Sequence, residues 1–369
     1  MSQIKFYTFY LVYAIGLIYL ASNLPIGTHE AVVFYTDETI LKRLTHVAEG
    51  WFANSLDFRL PFVCLGLVNI FLFFVMSQQY FSTKEEAYLS STIFALLPGI
   101  ITSAVLVNIA VLVISFLLLF LIAYAKKLRY LQVISAMVLL YVHDASIIFF
   151  ISLAIFSAFK RDRVLFIFSV LLISISFLYF DNVKVEGVPK GGFLELFSLY
   201  MALFSPLVFI YFFYALYRIC LREKKDILWY VAFSSFMISI LLSLRQQVIM
   251  TDFAPYVIVA VVLMILMYQQ TVNVRLVQFQ KKYIIGFRIV ITSLVFSALI
   301  IFLQKPIFRL YNDKTKHFTY AFYEPYWQSM ELREIGQNCY TAKNSKVQFQ
   351  LKYYGIEKCQ ELNVPKIHK

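Results

Sequence analysis

From Phe6 to Gln304 the chain is a succession of apolar runs separated by short charged connections. They fall near residues 6 to 22, 60 to 77, 87 to 104, 105 to 124, 130 to 142, 145 to 159, 163 to 180, 194 to 217, 227 to 244, 253 to 270 and 284 to 304. A membrane-crossing helix needs about 20 mostly apolar residues, and fewer where partners enclose it. With 61% hydrophobic, 18% aromatic and only 15% charged residues, the solvent for most of this chain is lipid. The sequence therefore reads as an all-α polytopic membrane protein of about eleven transmembrane helices, the fifth and sixth being short. The transmembrane domain covers 1–304 and a small tail covers 305–369.

Orientation follows from lysine and arginine, which cytoplasmic loops retain. "AKKLR" (125 to 129), "KRDR" (160 to 163), "YRICLREKKD" (217 to 226) and "VRLVQFQKK" (274 to 282) occupy alternate connections, so these loops face the cytoplasm together with the N-terminus. The first run has only Lys5 before it and no clear small-residue cleavage site after it, as in a retained signal anchor. The net charge of +12 is distributed over these loops rather than gathered on one face, which fits lipid headgroups and not a nucleic acid. Acids mark the complementary set: Glu30, Asp37, Glu38, Glu49 and Asp57, then His143 with Asp144, then 181 to 195 and 245 to 252. An odd number of spans places the tail outside as well. In an oxidising compartment Cys339 and Cys359 are expected to pair; a cytoplasmic tail would leave two free thiols.

The first outer loop, 23–59, is too long for a turn. Ile40, Leu41, Leu44, Val47, Ala48 and Trp51 recur at helical spacing in "TILKRLTHVAEGWF", which predicts an amphipathic helix on the membrane surface. "GVPKGG" lacks such periodicity and reads as an irregular loop. There is no Walker loop, CxxC zinc pattern, GxSxG elbow, HExxH helix or dinucleotide fingerprint.

What remains is a set of acids, bases and cations on one face. Glu30, where the first helix emerges, is a candidate general base for an acceptor hydroxyl or amine. Asp37 and Glu38 could do the same or together hold a divalent cation, although no full ligand set is visible. Alternatively, all three solvate the loop or cap its helix. Arg59, Lys184, Lys190 and Arg245 are candidates to clamp a phosphate, the bland reading being that each snorkels to a headgroup. His143 and Asp144 form a candidate proton relay, or simply a polar turn.

The string "FRLPFVCLGLVNIFLFFVMSQQYFSTKEEAYLSSTIFALLPGIITSAVLV" resembles the second and third helices of C-type membrane glycosyltransferases. The similarity is to the branch that includes protein O-mannosyltransferases and the lipid A aminoarabinose transferase. The counterparts of that branch's motifs are His29, Glu30 and Ala31, then Arg59, Leu60 and Pro61, then Leu97, Pro98 and Gly99. "SLRQQVIMTDFAPYVIVAVVLMIL" and "FSPLVFIYFFYALYRI" resemble later segments in the right order.

The resemblance implies transfer of a sugar from a polyprenyl-phosphate donor to a lipid, glycan or protein acceptor at the outer face of a bacterial inner membrane. Glu30 inherits the role of base, while Arg59 and Arg245 become phosphate ligands and His29 a substrate contact. No nucleotide is needed. Two departures stand out: His29 replaces the first acid of the usual pair, and Asn108 is the only polar residue of "AVLVNIAVLV", where relatives often carry an aspartate. The rival readings are a carrier of lipid-linked sugars and an inactive partner subunit. Against a carrier, no matching pair of interrupted helices is legible in the sequence.

Overall fold

The computed structural model describes residues 3–36, 39–52, 54–179, 192–222, 224–308, 314–342 and 344–359. Helix dominates them, and no strand occurs among the described residues beyond one isolated bridge between Cys339 and Glu357. The chain forms two compact units, Met1–Leu17 with Phe62–Phe302, and Ile18–Pro61 with Leu303–Lys369. The 23–59 loop and the tail, far apart in sequence, thus belong to one unit.

The larger unit holds the apolar helices, and several of them suggest a multi-pass membrane protein. Gln3–Asn23, Leu56–Ser77, Met250–Asn273 and Val277–Phe302 are long and apolar enough to cross a membrane. Two bent pairs raise that number to six, so the expected eleven is not reached by length and composition. The difference comes from helices such as Ala110–Ala125, Arg129–Val142 and Arg163–Tyr179, which are apolar but short.

Both bends sit at prolines. Lys84–Leu96 and Pro98–Val105 meet at 65°, and Phe193–Phe204 and Pro206–Leu221 at 105°. A proline ring clashes with a helical conformation of the preceding residue. Leu97 is accordingly extended, at φ −61° and ψ 129°, whereas Ser205 takes φ 77°, a left-handed value that costs a residue with a Cβ roughly 1–3 kcal/mol. The sequence-based expectation of uninterrupted helices is corrected here, because a single proline flanked by apolar residues does not disturb an apolar run when read as composition.

Close packing holds this unit together. The Phe73 and Phe94 rings stack at 3.9 Å. A Cβ on Gly66 would lie 2.3 Å from that of Ala104, so only glycine permits this approach of helices. Buried Asn69 is satisfied, donating to the Val111 carbonyl at 2.9 Å and accepting from Ser115 Oγ at 2.7 Å. Asp226 caps Ile227–Ser243 by accepting from the Trp229 N–H, and also accepts from Tyr80 Oη at 2.6 Å.

In the smaller unit the loop forms the helices Thr28–Tyr35 and Ile40–Thr45. The second is far shorter than the expected amphipathic helix. Beyond Thr45 the chain turns, and His46 bonds Glu49 at 2.5 Å while its other nitrogen lies 3.3 Å from the Phe34 carbonyl. Leu41 and Ala48 are buried, but Val47, Trp51 and Phe52 are exposed. The tail contributes Tyr320–Glu334 and Ser345–Tyr353, a small core of Leu332, Leu351 and Ile356, and the Cys339–Cys359 disulfide. Gln350 donates to the Ile26 carbonyl at 2.8 Å and the Ile26 N–H donates to Tyr354 Oη at 3.1 Å, tying tail to loop.

Candidate functional site

The acids of the first loop have distinct surroundings. Glu30 is buried at the third position of Thr28–Tyr35, where it accepts from the Gly27 N–H at 2.8 Å and satisfies a backbone donor that the helix cannot. A Cβ on Gly27 would lie 2.7 Å from the Phe322 ring, so a larger residue there would have to displace that ring. Arg59 is fully buried and meets Glu30 in a fork, Nε to Oε1 at 2.9 Å and Nη2 to Oε2. Its remaining hydrogens go to the carbonyls of Ala21 at 3.1 Å, Leu24 at 2.5 Å and Pro25 at 3.0 Å. Arginine suits this position, since five donors in one plane can serve a carboxylate and three carbonyls together.

The expected roles of base for Glu30 and phosphate ligand for Arg59 therefore meet a geometry in which each neutralises the other away from solvent. The pair fixes the chain where the first helix ends and the second membrane helix begins. Asp57 also has a local task, accepting from the N–H groups of Gly50, Trp51 and Phe52 at 2.9, 3.0 and 3.2 Å. Among the described sequence-derived candidates in this unit, the exposed titratable side chain is His29, next to Glu30 in the first turn. Asp37 and Glu38 lie outside the described residues. No group of three or more His, Cys, Asp or Glu able to hold a metal occurs among the described residues.

A cleft of about 950 Å³ opens within the same unit. Its walls include Tyr323, Tyr326 and Trp327 from Tyr320–Glu334, Tyr353 and Tyr354 from the end of Ser345–Tyr353, and Tyr19 from the first helix. Asn23, Asn54, Ser55, Lys305 and Arg333 add polar groups. Lys305 Nζ donates to Asn23 Oδ1 at 2.9 Å, and Arg333 donates to the Tyr354 carbonyl. Burial pushes the Tyr323 and Tyr353 phenols up to about 12, so both remain neutral donors through the physiological range. This size, with aromatic walls and a few placed polar groups, is that of a small-molecule site. None of the tail residues is among the sequence-derived candidates. Their signal is the aromatic repetition of "FTYAFYEPYW", unusual in a polar tail.

The other candidates lie in the larger unit. His143 is the turn residue before Asp144–Ser146. Its Nδ1 lies 3.1 Å from Asp144 Oδ1, and its Nε2 lies 3.3 Å from Asp252 Oδ1 without the alignment of a hydrogen bond. Burial favours the neutral ring, but the two carboxylates outweigh it and raise His143 to about 9. Asp252, absent from the sequence-derived set, thus joins the expected His143 and Asp144. Arg245 is exposed. Lys184 and Lys190 lie outside the described residues. A smaller cavity of about 100 Å³ adjoins both helix bends, lined by Gly99, Thr102, Asn108, Leu203, Thr251 and Pro255 among others.

No protein-family model matches the sequence, and no curated protein matches it either.

Proposed function

We propose that this chain is a membrane glycosyltransferase that moves a sugar from a polyprenyl-phosphate carrier to a lipid, glycan or protein acceptor. The observation that carries the reading is the aromatic cleft, built from the first loop and the tail in one unit. Flat rings suit the C–H faces of a pyranose, while Asn23, Asn54 and Ser55 suit its hydroxyls. The resemblance of "RLP" and its neighbours to C-type glycosyltransferases agrees with it.

In this reading Glu30 and Arg59 are positioning residues, and His29, exposed beside Glu30 but not one of the residues that line the cleft, takes the proton. The anomeric C–O bond to the carrier phosphate breaks as a new C–O bond forms to the acceptor oxygen. His29 accepts the hydroxyl proton, and the carrier leaves as polyprenyl phosphate. Lys305 is the cation best placed in the cleft to offset the growing phosphate charge. A bacterial inner-membrane setting, with cytoplasmic N-terminus and periplasmic tail, belongs to the same proposal, as does a divalent ion at Asp37 and Glu38.

A second reading, a carrier of lipid-linked sugars, gains support from the two bent helix pairs and the cavity beside their breaks, since transporters build sites from interrupted helices. The test supplies purified protein with polyprenyl-phosphate sugars and envelope extracts and follows products by mass spectrometry. Transfer by wild type, reduced by roughly 10²–10⁴-fold in His29→Ala, supports the enzyme. Undiminished transfer by His29→Ala removes that residue from the chemistry, and movement of intact donor across vesicles without transfer favours the carrier.

A further inference from the structure

Pro206–Arg222, Val261–Asn273 and the connection into Val277–Phe302 border a further open pocket of about 330 Å³, lined by Arg218, Gln270, Thr271, Val274 and Arg275. Both guanidinium groups are held in place. Arg218 Nη1 donates to Thr271 Oγ1 at 2.5 Å, and Thr271 passes its own hydrogen to the Met267 carbonyl at 2.6 Å. Arg275 lies over the Tyr283 ring at 3.7 Å. Gln270 adds a buried amide oxygen with no partner.

The segments that line this pocket carry no acid of their own. No Asp or Glu occurs from Leu196 to Arg222 or from Phe253 to Asn312. Among the described residues, neither Arg218 nor Arg275 forms an ion pair. Two oriented guanidinium groups with no carboxylate paired to them among the described residues suit an anion, and planar forks fit phosphate oxygens. The surroundings narrow the ligand further: Val274, Leu276 and Val277 are 88%, 71% and 81% exposed, and Tyr217 also faces outward. A polar anion alone leaves these side chains in water, whereas an amphiphile covers them with its tails while its head fills the pocket.

We infer that this pocket binds the phosphate of a membrane lipid, with Arg218 and Arg275 gripping the head group. The site lies within the larger unit and shares no residue with the aromatic cleft, so it stands whether or not the protein transfers sugar.

The test uses the full-length protein in nanodiscs of phosphatidylcholine, with added phosphatidylglycerol, polyprenyl phosphate or inorganic phosphate, read by native mass spectrometry and thermal unfolding. Wild type is expected to retain phosphatidylglycerol or polyprenyl phosphate saturably, and the tighter of the two names the source. Arg218→Gln and Arg275→Gln should each weaken retention by about fivefold, from roughly 1 kcal/mol per surface cation, and more together. Arg163→Gln, which removes the same charge from an exposed position elsewhere, should change nothing. Unfolding in phosphatidylcholine alone confirms that the variants fold; Arg275→Gln alone decides the outcome should Arg218→Gln unfold. Equal retention by wild type and the arginine variants, an equal loss in Arg163→Gln, or displacement of the lipid by equimolar inorganic phosphate would overturn the inference.

Discussion

Substituting Glu30 by Gln removes one charge from a pair that is almost wholly shielded from water. Arg59 keeps its carbonyl partners at Ala21, Leu24 and Pro25, but its charge is no longer balanced. Breaking a buried pair in this way costs about 3–5 kcal/mol. In the smaller unit, that raises the opening equilibrium between about 10²- and 10⁴-fold. Arg59→Met should cost at least as much: it leaves a buried carboxylate without its cation, and three carbonyls lose their donor at about 1 kcal/mol or more each. The double variant carries no buried charge, so its cost should fall short of the sum by about 1–3 kcal/mol. Hydrogen exchange of the amides in 24–36, in detergent, measures all three. If Glu30→Gln leaves exchange within about fivefold of wild type in a folded protein, the pair is not holding the loop, and the carboxylate becomes available again as a base.

Three further outcomes follow from other sites. His143 has a folded value of about 9 against an ordinary 6.5, so its contribution is complete below about 6.5 and disappears as pH rises through 9; thermal unfolding should weaken across that window, and His143→Gln should flatten the dependence. Reducing the Cys339–Cys359 bond, which spans 20 residues, should destabilise the tail by about 3 kcal/mol, seen as faster proteolysis of Ser345–Tyr353. Trp327→Ala should weaken donor or acceptor binding, raising KM more than it lowers kcat; an unchanged KM would remove the ring from the cleft's function.

The helical class and the multi-pass membrane reading were legible because apolar runs reflect the solvent of each segment directly, although the number of spans was not. The cysteine pair was expected from the charge pattern that put the tail in an oxidising compartment, whereas the grouping of residues 18–61 with the tail in one unit was not legible in the sequence. Helix bends were not: Pro98 and Pro206 sit in runs whose hydropathy does not change, and what breaks the helix is a steric clash. Nor could the sequence divide labour between His29 and Glu30, adjacent residues of similar chemistry. One is exposed and the other buried because a short helix turns its third position towards Arg59, some thirty residues on. The cleft residues escaped notice for a related reason. Aromatics of a tail resemble ordinary core until tertiary structure lines them along an opening.

The most direct measurement is a single turnover with a donor carrying isotope in both sugar and carrier phosphate. The proposed enzyme releases labelled polyprenyl phosphate and glycosylated acceptor in equal amounts, at a rate that collapses in His29→Ala. Donor recovered intact after incubation of folded wild-type protein with every candidate acceptor would contradict the account.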